Sequence, residues 1–252
     1  MTTAEIGVFG GSGFYSFLDD VEEHRVSTAF GAPSAPITVG TLGELRVAFI
    51  PRHGRAHELP PHRVNYRANI AAMREVGVRV VLAPFAAGSL QPTIHPGDFV
   101  VVDQFVDRTS GRADTFYDSF DDGPTHVSLA DPYDADLRRA LVSAARELDI
   151  TVRDGGTVVV VQGPRFSTRA ESAWYRSQGW DVINMTQYPE AALAREADLR
   201  YGAVALVTDY DTGLEGMPGV EPVTQEQVFG FFEDNVHRVR DLLFTVIPRL
   251  AV

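Results

Sequence analysis

Two reactive side chains are missing from the 252 residues: there is no cysteine, and the 22 positions counted as Lys+Arg are all arginine. Without cysteine there is no thiol nucleophile, no disulfide and no thiolate metal site. Without lysine there is no Schiff-base amine, no phosphate-loop lysine and no kinase-type strand lysine. Positive charge is scarce as well, since 34 Asp+Glu leave a formal net charge of -12. Such a surface repels nucleic-acid backbones and anionic membranes, so neither is an expected partner. Long apolar runs are also lacking: "VVLAPFAAG" and "GTVVVVQGP" are short and interrupted by Pro or Gly, and "MTTAEIGVFGGSG" has no basic start. These segments fall far short of a bilayer span, and the chain is expected to be soluble, unprocessed and cytoplasmic.

What is present is an alternation. "EIGVFG", "ELRVAFI", "RVVLAPF", "DFVVVDQF", "TVVVVQG", "DVINM" and "YGAVALVTD" are β-branched runs bounded by Gly, Pro and Asp. Between them, "VNYRANIAAMREVG", "DADLRRALVSAARELD" and "PEAALAREADL" repeat apolar residues at helical spacing, and Pro189 suits a first helical turn. A last helix is predicted from about Thr224, which opens a Thr-x-x-Gln capping box. The pattern predicts an α/β fold, a single domain over 1–252 with a central mixed, largely parallel sheet flanked by helices. One long irregular stretch, "RTSGRADTFYDSFDDGPTHVSLADPYDADL", reads as a functional or interface loop.

Four segments carry chemistry. In "GVFGGSGFY", Gly10, Gly11 and Gly13 let backbone approach a ligand, and Ser12 with its neighbouring N–H groups suits either an anion nest or a plain tight turn. The spacing fits neither a dinucleotide fingerprint nor a Walker loop. "PRHGRAHELPPHR" concentrates Arg52, His53, Arg55, His57, His62 and Arg63 in an acidic chain, the residue types that bind an anion. A metal is not expected there, because Gly54 and Pro60–Pro61 deny His53 and His57 a shared helix face. Phe166, following one strand, suits stacking on a flat ring, and Asn184, Met185 and Thr186 end another, where ligands of α/β sheets collect. Finally, the apolar run Ala203 to Val207 ends in Asp209 and Asp211, two apart and so on one side of an extended chain, with Tyr210 on the other.

Taken in order, "GVFGGSG", "PRHGRAH…NYRANI", "GSL…PGD…DQFVDRT", "GPRFSTRAES", "DVINMT" and "TDYD" closely resemble the 5′-methylthioadenosine phosphorylases of the trimeric purine nucleoside phosphorylase family, from about Ile6 to the final helix. The resemblance implies phosphorolysis, in which phosphate attacks C1′ of a nucleoside and the purine leaves. It implies phosphate as co-substrate, no cofactor or metal, and a homotrimer. Phosphate would be held by Ser12, Arg52, His53, backbone at Ala86, and Thr186. Phe166 would pack on the base with Asn184 nearby, and Met185 would lie against the ribose. The final helix, through Gln225, Val228 and Phe229, would line the 5′ pocket, and His126 would reach a neighbouring subunit's 5′ pocket. Asp209 would serve N7, and Asp211 would accept from the 6-amino group.

An ionised carboxylate only accepts hydrogen bonds, so an Asp pair suits a 6-amino purine and opposes a 6-oxo oxygen. Members that favour 6-oxopurines usually carry Asn there. Two departures stand out: Phe85 replaces the Thr of close relatives, and "GLEGMPGVEP" is unusually long and rich in Gly and Pro. The alternatives left open are a purine nucleoside phosphorylase of broad or 6-oxo specificity, a hydrolytic nucleosidase, and a nucleoside-binding protein without catalysis.

Overall fold

The computed structural model describes residues 4–10, 19–119, 121, 123–218, 220 and 224–250. Its chain order is β1 (Ile6–Gly10), β2 (Asp19–His24), β3 (Ile37–Leu42), β4 (Leu45–Pro51), α1 (Tyr66–Glu75), β5 (Val80–Ser89), β6 (Phe99–Val101) and β7 (Gln104–Arg108). There follow α2 (Ala135–Glu147), β8 (Val152–Asp154), β9 (Thr157–Val161), α3 (Arg169–Ser177), β10 (Val182–Asn184), α4 (Gln187–Glu196), β11 (Arg200–Tyr210) and α5 (Gln225–Val246). The strands join in one mixed sheet whose main path is β2-β3-β4-β1-β5-β10-β9-β7, with β11 pairing β5 and β6, and β8 pairing β6. β1 runs parallel to β4 and β5, and β11 parallel to β5, whereas β10 runs antiparallel to β5.

Strand alternation divides the core. Val81, Ala83, Phe85 and Ala87 of β5 join Ile70 and Met73 of α1 and Leu193 of α4 on one face. Leu82, with Val204 and Leu206 of β11, faces Leu141 of α2 and Leu242 and Leu243 of α5 on the other. Helices on both faces leave the central strands no solvent side, which is why β1 and β11 read as nearly continuous apolar runs. Each large apolar side chain wholly buried this way contributes about 1.5–3 kcal/mol.

Local signals set the helix ends. Asn65 caps α1 by accepting from Ala68 N at 3.1 Å, and Asp134 caps α2 by accepting from Asp136 and Leu137 N. Thr224 and Gln227 form the expected capping box of α5. In α4, Tyr188 is extended, so the continuous helix begins at Pro189, where a missing N–H costs nothing. The predicted strand "DFVVVDQF" is two strands, β6 and β7, separated by Val102 and Asp103. Between β7 and α2, the described residues of 109–134 lie in neither helix nor strand, the irregular stretch expected there.

Candidate active site

Arg52 follows β4 directly, and its N–H donates to the carbonyl of Gly10 at 3.3 Å, which places it beside the end of β1. The turn after Gly10, and Ser12 with it, lies outside the described residues. The Arg52 side chain is buried, 6% exposed, and its Nε and Nη2 donate to the two carboxylate oxygens of Glu190 at 2.6 and 2.8 Å. Burial alone would lower the guanidinium pKa, but the charge and hydrogen bonds of Glu190 outweigh it and hold Arg52 above its ordinary range. Nη1 points toward the carbonyl of Pro84 in β5 at 3.5 Å.

His53 Nδ1 lies 2.8 Å from the carbonyl of Leu59. A carbonyl only accepts, so Nδ1 carries the proton and Nε2 is left as an acceptor in the neutral ring. Burial pushes the His53 pKa down to about 4, which keeps it neutral at pH 7. Its ring stacks on His57 at 4.4 Å and 17°, and His57 in turn meets the edge of Phe229 from α5 at 4.9 Å. Stacked rings do not converge on a metal ion, and among the described residues no group of three or more His, Cys, Asp or Glu is placed to hold one. The rest of the basic segment goes elsewhere: Arg55 pairs with Glu23 at the surface, and His62 and Arg63 are exposed.

Because β10 runs against β5, Asn184 arrives beside Ala86, and its Nδ2 donates to the Ala86 carbonyl at 3.2 Å. Asn184 Oδ1 accepts from the backbone N of Thr186 at 2.6 Å and of Gln187 at 2.8 Å, fixing the turn into α4. Thr186 is buried there, and Met185 is half-buried with its sulfur against Gly163, where an added Cβ would lie 2.6 Å away. Gly163 also has φ +62, so close approach and backbone both require glycine.

Beneath this turn lies Arg112, a residue of the irregular stretch with no signal in its spacing. It donates to the carbonyls of Gln162 and Met185 at 2.9 Å, to that of Tyr188, to that of Val161 at 3.4 Å, and to Gln162 Oε1 at 3.2 Å. One guanidinium thus ties together the ends of β9 and β10 and the start of α4.

Asp209 and Asp211 share a side of β11, as expected: a Cβ built on Gly88 of β5 would meet Asp209 Oδ2 at 3.0 Å and Asp211 Cβ at 3.6 Å. Tyr210 points away, its hydroxyl 2.6 Å from His95 Nδ1. The pairing with β5 slips between Val207 and Asp209, a bulge at Thr208 that re-aims the acid. Thr208 Oγ1 donates to Asp209 Oδ1 at 2.7 Å. Burial raises the Asp209 pKa to about 6, the Thr208 bond opposes the rise, and the Asp211 charge adds to it. Asp211 is also raised by burial, against hydrogen bonds from the side chains of Ser172 and Ser167 and the backbone of Thr212.

The remaining candidates are placed less tightly. Phe166 is half-buried in the loop after β9, and its neighbour Ser167 accepts from Thr212 Oγ1 at 3.0 Å, next to Asp211. Val228 is half-buried, while Gln225 and Phe229 are exposed on the first turns of α5. His126 is exposed in the irregular stretch. Phe85 is 3% exposed and belongs to the core rather than to the site. A cavity of about 360 Å³, lined by Asp103, Tyr133, Asp134, Arg138, Arg200 and Tyr201 among others, contains none of these candidates.

A mixed sheet with a buried arginine, a neutral histidine and two burial-raised carboxylates at its strand ends has the build of a nucleoside phosphorylase. The model of the Phosphorylase superfamily matches residues 5–248, and the chain belongs to that family. It is 54% identical to a purine nucleoside phosphorylase of Streptomyces coelicolor, across 98% of this chain and 89% of the relative. It is also 54% identical to an S-methyl-5′-thioadenosine phosphorylase of Mycolicibacterium smegmatis, across 98% and 92%. Among solved structures, methylthioadenosine phosphorylase from Schistosoma mansoni in complex with adenine superposes with a TM-score of 0.91 at 38% identity, covering 98% of this chain and 91% of that one.

Proposed function

We propose that this chain catalyses phosphorolysis of 5′-methylthioadenosine, releasing adenine and 5-methylthioribose 1-phosphate. The observation that carries the choice of adenine is the pair of buried carboxylates, Asp209 and Asp211, facing Gly88. An ionised carboxylate only accepts hydrogen bonds, so a 6-amino group matches it, whereas a 6-oxo oxygen sets buried acceptors against each other at a cost of about 1–3 kcal/mol. Asp209, its pKa raised to about 6, supplies a hydrogen bond or proton to N7 and stabilises the departing purine. Arg52, His53, the backbone at Ala86, Thr186 and Ser12 hold phosphate. Met185 and Asn184 position the ribose and base, Phe166 packs on the base, and Val228 and Phe229 border the 5′ substituent.

The same reading takes the chain as a single phosphorylase domain over 1–252, working as a cytoplasmic homotrimer in which His126 reaches the neighbour's 5′ pocket. Support comes from the family match over residues 5–248, the one connected sheet, and the exposure of His126 on a long irregular segment. No helix of the described residues is long and apolar enough to cross a membrane. Sedimentation of the active enzyme as a monomer would defeat the trimer and the His126 role together.

The Streptomyces coelicolor relative gives a second reading, a purine nucleoside phosphorylase of broader specificity. Adenine release from methylthioadenosine, measured with and without phosphate beside adenosine and inosine, tests both. Phosphate-dependent adenine release with little action on inosine is the expected result. Turnover without phosphate would make the enzyme a nucleosidase, and inosine as the better substrate would favour the second reading.

A further inference from the structure

Glu190 stands outside the contacts proposed for either substrate, yet its side chain is wholly buried against the arginine proposed to hold phosphate. Three donors converge on it: Arg52 Nε on Oε2 at 2.6 Å, Arg52 Nη2 on Oε1 at 2.8 Å, and the Tyr201 hydroxyl on Oε1 at 2.7 Å. Resting on the phosphate reading above, we infer that Glu190 is a positioning residue that cancels the charge of Arg52, so that phosphate is held by aligned donors in a site with no net charge.

The side-on pair commits the Nε/Nη2 edge of the guanidinium to Glu190. Nη1, one of whose hydrogens reaches the Pro84 carbonyl at 3.5 Å, and the second Nη2 hydrogen face away from Glu190, which leaves an anion one edge to dock on and fixes its orientation. His53 adds no charge, because its proton sits on Nδ1 against Leu59 and its ring is stacked on a second histidine. Ala86 and Thr186 are uncharged. The chemistry gives this neutrality a purpose. As the C1′–N bond to the purine breaks and the C1′–O bond to phosphate forms, the attacking oxygen shares its electron pair with a cationic ribosyl centre. The phosphate is therefore more negative before the transition state than in it. A site with a full positive charge would bind ground-state phosphate better than the transition state, lowering KM without helping kcat. Glu190 removes that surplus while Tyr201 draws off part of the carboxylate's own charge.

The test is steady-state kinetics on Glu190→Gln and Tyr201→Phe. For Glu190→Gln, phosphate KM is expected to fall about threefold or more and kcat to fall at least as much, with nucleoside KM within about twofold of wild type. A role confined to holding the fold predicts the reverse for phosphate, a raised KM, and that result overturns the inference. Tyr201→Phe leaves the ion pair intact and concentrates the charge of Glu190 on Arg52, so phosphate KM is expected to rise about twofold or more at unchanged nucleoside KM. An unchanged phosphate KM in Tyr201→Phe overturns the inference even if Glu190→Gln does not fold. The double variant Arg52→Gln/Glu190→Gln separates the two levels. If its phosphate KM equals that of wild type, the phosphate site is misplaced and the inference falls with it. If that KM rises while Glu190→Gln fails to lower its own, the inference alone falls.

Discussion

Gly88 and Asp209 face each other across the β5/β11 pairing, and a Cβ on Gly88 would sit 3.0 Å from Asp209 Oδ2 and 3.1 Å from Ile183 Cγ2. That spacing is tighter than ordinary carbon contact, so a methyl group must push the carboxylate aside by a few tenths of an ångström. Gly88→Ala is expected to fold and to keep its phosphate KM, while kcat/KM for methylthioadenosine falls about tenfold or more, in keeping with the cost of a misplaced catalytic group. Equal losses on both substrates would argue that the methyl disturbs the sheet rather than the acid.

Asp209→Asn tests what the acid does. The change removes a proton donor and replaces one acceptor oxygen by an amide donor. Phosphorolysis of methylthioadenosine is expected to fall about 10²–10⁴-fold, the usual worth of general acid catalysis. Inosine, whose O6 gains a donor, is expected to lose far less or to improve. The comparison is kcat/KM for both nucleosides in both enzymes, and an unchanged preference would withdraw the adenine assignment.

The same substitution has a thermodynamic signature. Asp209 titrates near 6 in the folded chain against 3.8 as a free side chain, so between those values the folded state binds more protons than the unfolded state. The favourable contribution of the protonated acid is full below about pH 3.8 and is lost as pH rises through about 6. Asn, which never ionises, escapes that loss. Asp209→Asn is therefore expected to raise Tm at pH 8, by an amount equivalent to at most about 3 kcal/mol, and to have little effect near pH 4. Melts at the two pH values give the answer, and a variant less stable at pH 8 than wild type would place the carboxylate in a structural bond.

Arg52 cannot be removed cleanly. Arg52→Ala leaves Glu190 buried with only Tyr201 as donor, and breaking such a pair from one side costs about 3–5 kcal/mol. Urea melts should show that loss in Arg52→Ala and most of it recovered in Arg52→Gln/Glu190→Gln, while neither variant recovers normal phosphate dependence. A fully stable Arg52→Ala would mean that the pair contributes little to the fold.

The legible part of this chain is its buried middle. β1, β4, β5, β9, β10 and β11 announce themselves because strands covered on both faces must be apolar throughout. β2 does not, since "DDVEEH" has five exposed positions and no apolar period, and it pairs only at the sheet edge with β3. α3 buries only Ser172 and Tyr175, too little for a stripe, although its box of Thr168 and Glu171 was a readable start signal. In the site, Arg52, His53, Asp209 and Asp211 stand out by type at strand ends. Glu190 does not, because its partner is 138 residues away, and neither does Arg112, whose acceptors are backbone carbonyls that every residue carries.

Arg112 also changes how the irregular stretch should be regarded. A segment without helix or strand is the place where a chain tolerates added or lost residues, yet this one is pinned near its start to the turns that follow β9 and β10. Further ties follow the pin, from Asp114 to the Tyr188 hydroxyl, from Thr115 and Phe116 to Glu196, and from the buried Tyr133 to Gln187. A single insertion between Arg108 and Arg112 draws the guanidinium away from the carbonyls of Gln162, Met185 and Tyr188 together. The part of the sequence that looks freest to drift therefore begins with a short ruler, and the distance it measures is the one from the sheet's last strand to the floor of the site.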